Sequence, residues 1–343
     1  MQNDVVTYHL NIIFGSPVLL HLKNPLLENR MGRVSLFDID KGKEIPFQFP
    51  VDWSWFQIIS SSDGFICARF SYDLMFTHLI IWNPITNTRK FIDDPAADNF
   101  PRNMYCPNLA VYTFFQVPNE HRFLIMLLQR NSYVEPGYNM HFYNSASLQW
   151  SDPMTIPSSI DILCNQSIVV GWRIFFVNKL AVYGNRTYSI IGFCMRTGTW
   201  MESIIPFNAL HSFSPKLVFN GDRIFLVDVD PSGLLFGLHL HEIIISDDWG
   251  LEWATSRFCT FSYISQTPSI MVGGMLLGLI HSVTNLDISD PAFEETLSEI
   301  QFTMVDVYNG HSFVAGTMLS NAILGVSRVY SFAPTLEKKF GCL

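Results

Sequence analysis

Short runs in which apolar and polar residues alternate recur along the whole chain, separated by polar turns. In the segment 225–230, Phe, Val and Val alternate with Leu, Asp and Asp, the period of two expected for a half-buried strand. A glycine precedes several such runs, as at Gly64, Gly171 and Gly221. Helical spacing is rare, and residues 291–300 are the best candidate for a short helix. The pattern therefore predicts an all-β protein.

A unit of strand, polar turn and second strand recurs six times. In four of the five units that match closely, the sixth position is Gly or Asn, which adopt the positive φ of a tight turn at little cost. The remaining unit, 244–253, has the same plan with a longer turn. The five close matches span residues 37–44, 82–89, 143–150, 193–200 and 305–312.

The spacing of these units predicts the architecture. Successive units begin about 45 to 61 residues apart, and a repeat near 50 residues is typical of kelch-type propeller blades. Small sheets of this kind bury their faces by packing around an axis. We therefore predict one β-propeller domain over residues 1–343, with six kelch-like blades. Apolar segments near the two termini, 5–22 and 324–332, are expected to close one blade together.

Composition narrows the class of protein. Of 343 residues, 48% are hydrophobic and only 15% are charged, which excludes a disordered chain and a charged coiled coil. The 14% of aromatic residues favours strands. A net charge of -9 supplies no basic footprint for nucleic acid, so we predict no nucleic-acid partner.

The cysteines and the apolar runs bear on the compartment. Six widely scattered cysteines without a CxxC pair are typical of buried thiols, and no secretory signal is visible at the start. The longest apolar run, 270–280, is well short of the ~20 residues of a membrane span and is interpreted as two strands interrupted at Gly273 and Gly274. We therefore predict an intracellular protein, in the cytoplasm or nucleus, with no membrane partner.

Residues 61–90 carry a more specific pattern. A polar-Gly-apolar strand at 61–67 is followed at 80–90 by the turn Trp82-Asn83-Pro84-x-Thr86. With the opening segment 16–46, this resembles the propellers that follow the F-box in plant proteins, namely the kelch-like F-box-associated domain and the KIB-type propeller. The resemblance implies a non-catalytic module that recognises a protein target, as the substrate receptor of a ubiquitin ligase does.

The resemblance has one departure. Members of these families usually begin with an F-box, a helical segment rich in Leu and Pro that binds Skp1. Here strand-like residues start within the first ten positions and no such helical stretch is visible. Skp1 and cullin are therefore expected as partners only if an F-box is supplied elsewhere. A truncated gene model, an F-box-less paralogue and one part of a larger product all remain open.

The sequence gives little support for a metal site or for a catalytic nucleophile. The chain has neither a Gly-x-Ser-x-Gly elbow nor a phosphate-binding loop. The best metal candidate is His239 with His241 and Glu242, because alternation places the two histidines on one face of a strand. A zinc site needs a third ligand and an oriented second shell, which the sequence does not supply. We predict strand histidines with no metal and no cofactor.

Paired acids keep an enzyme alternative open. Glycoside hydrolysis needs two carboxyl groups about 5 to 9.5 Å apart across the sugar. For the adjacent acids in turn-like contexts we favour backbone capping, and for the acidic run a solvated loop. A carbohydrate-binding or carbohydrate-processing propeller remains the alternative. The acids concerned are Asp93, Asp94, Asp228, Asp230, Asp247, Asp248 and the run 287–299.

Two tryptophans are candidates for a recognition surface. Trp53 and Trp55 fall on one face by alternation, which serves the packing of neighbouring blades as well as partner binding. We favour core packing. No catalytic, cofactor-binding, metal-binding or partner-binding residue is assigned from the sequence, and a degenerate paralogue without a defined partner is a third possibility.

Overall fold

A computed structural model describes the parts of the chain that form its sheets and turns. The described residues are 17–23, 32–38, 41, 43–45, 55–62, 64–71, 78–84, 86–95, 110–117, 120, 122–130, 137–156, 160, 162, 167–182, 185–205, 215–220, 223–230, 236–246, 250–261, 271–272, 275–283, 297–306, 308, 311–321 and 325–331. The chain divides into two compact units. Unit 1 comprises Met1–Arg102 and Tyr263–Lys338, and unit 2 comprises Asn103–Ser262 and Lys339–Leu343.

Every regular element among the described residues is a strand. In chain order these are β1 (Pro17–Lys23), β2 (Gly32–Asp38), β3 (Lys43–Ile45), β4 (Trp55–Ser62), β5 (Phe65–Ser71), β6 (His78–Asn83), β7 (Thr88–Asp93), β8 (Ala110–Gln116), β9 (Phe123–Arg130), β10 (Tyr138–Asn144), β11 (Gln149–Trp150), β12 (Met154–Thr155), β13 (Ile168–Val170), β14 (Arg173–Val182), β15 (Asn185–Cys194), β16 (Thr199–Ile204), β17 (Lys216–Asn220), β18 (Arg223–Asp230), β19 (Phe236–Ile245), β20 (Leu251–Phe261), β21 (Met271–Val272), β22 (Met275–Val283), β23 (Leu297–Asp306), β24 (Ser312–Asn321) and β25 (Gly325–Ser331).

These strands form six antiparallel sheets among the described residues. Unit 1 contains sheet A (β25-β1-β2-β3), sheet B (β4-β5-β6-β7) and sheet F (β21-β22-β23-β24). Unit 2 contains sheet C (β8-β9-β10-β11, with β12 also on β10), sheet D (β13-β14-β15-β16) and sheet E (β17-β18-β19-β20). Apart from β25, and from β12, which pairs with β10, the strands of each sheet pair in chain order, so each sheet is a meander.

Sheet A joins strands from opposite ends of the sequence. β1 pairs with β25 in antiparallel register from Val18↔Ser331 to Lys23↔Gly325, with an irregularity after His21. The prediction that segments near the two termini share one sheet is therefore confirmed.

Each of the six sequence units forms a hairpin in a different sheet. The hairpin joins the third and fourth strands of that sheet, as in Tyr143↔Trp150 of sheet C and Phe193↔Trp200 of sheet D. In these two hairpins the first and last aromatic residues face each other, with ring centroids 5.5 Å and 4.8 Å apart. The aromatic residues that open and close these two units are therefore a cross-strand pair.

Sheet D shows how strand alternation builds the core of unit 2. Ile174 and Phe176 on one face join the cluster that includes buried residues of sheet C. Phe175 and Val177, on the other face, join the cluster shared with sheet E. A strand that is buried on both faces reads as a continuous apolar run, which explains why 174–177 does not alternate.

Gly192 is required by this packing. An added Cβ there would lie 2.8 Å from Cγ of Met201 and 3.0 Å from Cε1 of Phe175. The absence of a side chain lets the Phe175 ring, opposite Gly192 in the register, lie against β15.

Two local predictions have different outcomes. The run 270–280 is indeed two paired strands, with Met271 opposite Leu276. The helix predicted over 291–300 is wrong in its described part, because residues 297–300 begin β23, and residues 298–300 pair with both β22 and β24. Pairing on both sides outweighs a weak local helical pattern. In the described part of the chain, no helix is long and apolar enough to cross a membrane.

Candidate recognition end of the sheets

The two ends of each sheet differ in the connections that they carry. In an antiparallel meander, the links from first to second and from third to fourth strand lie at one end, which we call the turn end. The links from second to third strand, and from the fourth strand to the next sheet, leave from the other end, the connection end. Each described strand can be assigned to these ends from its pairing.

The connections at the two ends have different lengths. Between the described strands, eleven links at the turn ends contain two to six residues each, 40 in all. Twelve links between described strands lie at the connection ends and contain two to 16 residues each, 101 in all, and the segment 151–153 between β11 and β12 belongs to neither set. These twelve segments are 24–31, 46–54, 72–77, 94–109, 131–137, 156–167, 183–184, 205–215, 231–235, 262–270, 284–296 and 322–324.

Four of the six repeated hairpins share one hydrogen-bonding device. In these four, the second residue of the unit is an Asp or Asn whose side chain accepts from a backbone N–H of the turn, which is an Asx turn or its close variant. The acceptor-to-nitrogen distances are 3.0 Å for Asp38 from Lys41, 3.2 Å for Asn83 from Thr86, 2.9 Å for Asn144 from Ala146 and 2.7 Å for Asp306 from Tyr308.

In sheet D a cysteine occupies this place. Burial opposes ionisation of the Cys194 thiol, but a hydrogen bond from the Thr197 side chain, backbone N–H groups of Thr197 and Arg196, and the charge of Arg173 outweigh it. The pKa of Cys194 is consequently lowered. The same turn therefore uses sulfur where its counterparts use oxygen, a substitution that the sequence alone did not reveal.

The sixth position of the unit has the backbone conformation that the sequence predicts. Asn87, Leu148 and Gly198 have φ of 54°, 59° and 70°. The prediction of positive φ is confirmed at Asn87 and Gly198. Leu148 adopts the same conformation although a leucine side chain makes it unfavourable, so the geometry of the turn determines the backbone there.

At the connection ends, described residues attach two of the connections to the sheets. Asp94, at the start of 94–109, has a fully buried side chain that accepts from Nε and Nη2 of Arg69 at 3.0 Å and 2.9 Å. Ile156, Ile160 and Ile162 of the segment 156–167 are buried in the core cluster of sheets C and D. These contacts fix where the two connections leave the sheets.

The histidine pair lies on one face, as predicted, but does not gather a ligand set. The rings of His239 and His241 are parallel, with centroids 6.3 Å apart. Glu242 lies on the opposite face of the strand, where it binds Arg223 at 2.8 Å. No group of three or more metal-ligating side chains occurs among the residues that the structure describes.

The structure shows where the acids that the sequence offered as pairs lie and what they contact. Asp93, the last residue of β7, and Asp94, which follows it, have side chains that are 97% and 0% exposed. Asp228 is buried and lies directly across from His239 in the register. Asp230 pairs with Gly237, and its side chain is outside the description.

Other sequence candidates fall partly or wholly outside the described residues. Asp247, Asp248 and Trp53 are outside them, and Trp55 begins β4 opposite Ser71 without a described side chain. Of the acidic run 287–299, residues up to 296 are outside the description. Glu299 lies in β23, so the predicted loop is wrong at that position.

The sequence did not predict one polar network, which lies in sheet D. Asn178 Nδ2 donates to Ser189 Oγ at 3.1 Å and to Glu202 Oε1 at 3.3 Å, while Ser189 Oγ donates to the same carboxylate oxygen at 2.6 Å. The three residues lie on consecutive strands of sheet D, so only the pairing register brings them together.

Comparison with known proteins supports the fold. No family model matches the chain. No curated protein matches it either. The structure is similar to TolB from Acinetobacter baumannii, with a TM-score of 0.53 and 13% identity over 96% of this chain and 70% of that chain. It also resembles the β-propeller domain of the trilobed protease from Pyrococcus furiosus, with a TM-score of 0.41 and 9% identity over 88% and 92% of the chains. The likeness to TolB establishes an all-β, propeller-like arrangement of sheets, as the sequence predicts.

Proposed function

We propose that the chain is a non-catalytic recognition propeller with six kelch-like blades in one domain, closed by its terminal strands. In this proposal it acts as the substrate-receptor region of plant F-box ubiquitin ligase subunits does. Six described sheets, each with one copy of the repeated hairpin, support the blade count. The fold likeness to TolB supports the propeller, and the resemblance of residues 61–90 supports the role.

The difference in connection length is the observation that carries a recognition role. Binding residues are often found on long connections held by a rigid scaffold. Here 101 residues leave the sheets at the connection ends, whereas the turn ends hold short hairpins whose polar side chains cap their own backbone. We assign partner recognition to the connection ends for this reason.

The one adjacent acid pair that the structure describes does not support the carbohydrate-processing alternative. A glycosidase needs two carboxyl groups directed at one sugar. The Asp93 side chain is exposed, whereas Asp94 is buried and held by Arg69. The adjacent pair therefore lacks the geometry that this reaction requires.

The proposed partner is a protein target inside the cell. Skp1 and cullin join it only where an F-box is supplied elsewhere, because target binding and ligase attachment reside in different segments of such receptors. Nucleic acid is not a proposed partner, given the net charge of -9.

Affinity purification of the tagged full chain from its own cells, followed by mass spectrometry, tests this proposal. We expect one or a few proteins to co-purify in amounts comparable with the chain, and Skp1 with cullin to identify a ligase if both are recovered. A soluble, expressed chain that captures no protein would overturn the recognition role. Specific binding to a glycan array, or hydrolysis of a glycan, would overturn it in favour of the carbohydrate alternative.

A further inference from the structure

The fourth strand of sheet B carries a lysine on its covered face. In β7, Thr88, Lys90 and Ile92 are half-buried or buried, whereas the residues that alternate with them are exposed. Lys90 lies directly across from Ile81, which in turn lies across from Cys67. Both of these neighbours are fully buried. The lysine therefore belongs to a row of side chains that is otherwise apolar.

The ammonium group of Lys90 is placed in an unusual way. Its Nζ is buried and has no hydrogen-bond partner within the described chain, although the residue as a whole is only half-buried. Lysines near a surface usually do the opposite, burying the aliphatic stem and exposing the ammonium. Burial lowers the pKa of Lys90, as expected where no opposite charge compensates the loss of water. A buried cation of this kind calls for an anionic partner.

The acids described in and beside β7 are engaged elsewhere. Asp94 accepts from Nε and Nη2 of Arg69 at 3.0 Å and 2.9 Å. Asp93 is on the exposed side of the strand, where its Oδ1 lies 3.2 Å from Nδ1 of His78. Neither carboxylate is therefore the counter-ion of Lys90.

The charge at this place is specific to sheet B. Lys90 directly follows the residue that pairs with the first position of the repeated unit, and in the other five sheets the equivalent residue is uncharged. These equivalents are Ile45, Ser151, Met201, Trp253 and Phe313. In sheets D and E, Met201 and Trp253 pack against the core cluster that the two sheets share. The repeated hairpin consequently needs no cation here.

The surroundings of Lys90 restrict the class of anion. One ammonium balances one negative charge, and the neighbouring row of the same face, Leu79 with Ile92, is buried and apolar. A phosphate group carries up to two charges and three strong acceptor oxygens, which one amine among apolar side chains does not satisfy. A single carboxylate on an aliphatic body matches both the charge and the apolar neighbours.

We propose that Lys90 binds a small aliphatic monocarboxylate through an ion pair with Nζ, with the apolar part of the ligand beside Ile81 and Ile92. Among the described strands β7 is the edge of sheet B, so a ligand reaches Lys90 without opening the pairing of the sheet. This site goes beyond the proposed recognition function and does not depend on it.

A lysine variant and a matched control test the inference. Lys90→Met removes the ammonium and introduces the residue that sheet D has at the equivalent place. The control is Arg89→Met, which removes the same charge from the exposed face of β7. If Lys90→Met fails to fold, Lys90→Gln, which keeps a polar tip without charge, takes its place. The thermal midpoint of each full-length protein is measured at about 50 mM sodium butyrate and at the same concentration of sodium chloride.

We expect butyrate to raise the midpoint of the unaltered chain and of Arg89→Met by roughly 2 °C or more relative to chloride, and that of Lys90→Met by less than about 0.5 °C. Without butyrate, Lys90→Met should melt above the unaltered chain, because it removes a buried charge that has no partner. An equal response to butyrate in all three proteins would overturn the inference.

Two further measurements sharpen the result. Inorganic phosphate in place of butyrate should give a smaller shift, and an equal or larger one would overturn the monocarboxylate class. Size-exclusion chromatography reports the oligomeric state of each protein. A Lys90→Met protein that self-associates, together with no butyrate response in the unaltered chain, would overturn the site and assign the lysine to protection of the strand edge.

Discussion

The turn end and the connection end of each sheet differ in the length of their links and in the use of their polar side chains. At the turn ends, Asp38, Asn83, Asn144, Cys194 and Asp306 accept hydrogen bonds from their own turns, so their polar groups are used internally. At the connection ends, longer segments leave the sheets. Repetition of the turn chemistry is typical of a scaffold, whereas variation in length and sequence is typical of recognition.

The largest expected effect concerns the ion pair that anchors a connection. Arg69→Met leaves the buried Asp94 carboxylate without its partner, which should lower the free energy of unfolding by about 3–5 kcal/mol. Urea denaturation measures this loss. Because the double variant Arg69→Met with Asp94→Leu removes both charges, it should recover most of the stability. A double variant as unstable as the single one would show that packing, and not charge, causes the loss.

A turn cap should have a smaller effect. Asn83→Ala removes the acceptor for the Thr86 N–H, so we expect a loss of about 1 kcal/mol in the free energy of unfolding. The control is Arg89→Ala, an exposed position in the same hairpin that should change stability by less than about 0.5 kcal/mol. Similar losses in both variants would contradict a specific role for the cap.

A substitution at Leu148 is expected to stabilise the protein. Leu148→Gly relieves the cost of positive φ, and we expect a gain of about 1 kcal/mol in denaturant unfolding. Ala146→Gly, in the same turn but without positive φ, should give no gain. A destabilised Leu148→Gly protein would mean that the half-exposed leucine side chain contributes more through contacts than its backbone costs.

The smallest expected effect is on the pH dependence of stability, to which two cysteines contribute with opposite sign. Burial, helped by the charge of Asp94, raises the pKa of Cys67, so the unfolded chain releases this proton first and stability falls as pH rises. Between pH ~7.5 and ~8.5 the loss should be about 0.4 kcal/mol. The pKa of Cys194 is lowered, so the folded chain releases its proton first and stability rises with pH up to the unfolded pKa of about 8.5.

Unfolding free energies of Cys67→Ala and Cys194→Ser, each compared with the unaltered chain across this range, isolate the two contributions. The difference should decrease with pH for Cys67 and increase with pH for Cys194. Parallel pH profiles for the two variants would contradict the opposite environments described for the thiols.

Much of the fold follows from local pattern, because a hairpin places its information within eight residues. The turn at 82–89 and the glycine at position 198 are readable from residue type and spacing alone. The pairing of β1 with β25 is also foreseeable, since the propeller that the sequence predicts would need strands from both termini to close.

The contacts of the candidate site are harder to predict from the sequence, and the reason is physical. Arg69 and Asp94 are 25 positions apart, and Asn178, Ser189 and Glu202 meet only through the pairing register. No local spacing encodes such contacts. The histidines show the converse, because alternation placed His239 and His241 on one face but could not supply the further ligands that a metal needs.

The central claim is that the connection ends recognise a partner while the turn ends hold the scaffold together. Amide hydrogen exchange of the full chain, with and without the captured protein, tests it most directly. The account predicts added protection in connection segments such as 284–296 and unchanged exchange in the turns 145–148 and 195–198. Protection confined to the turns would contradict it.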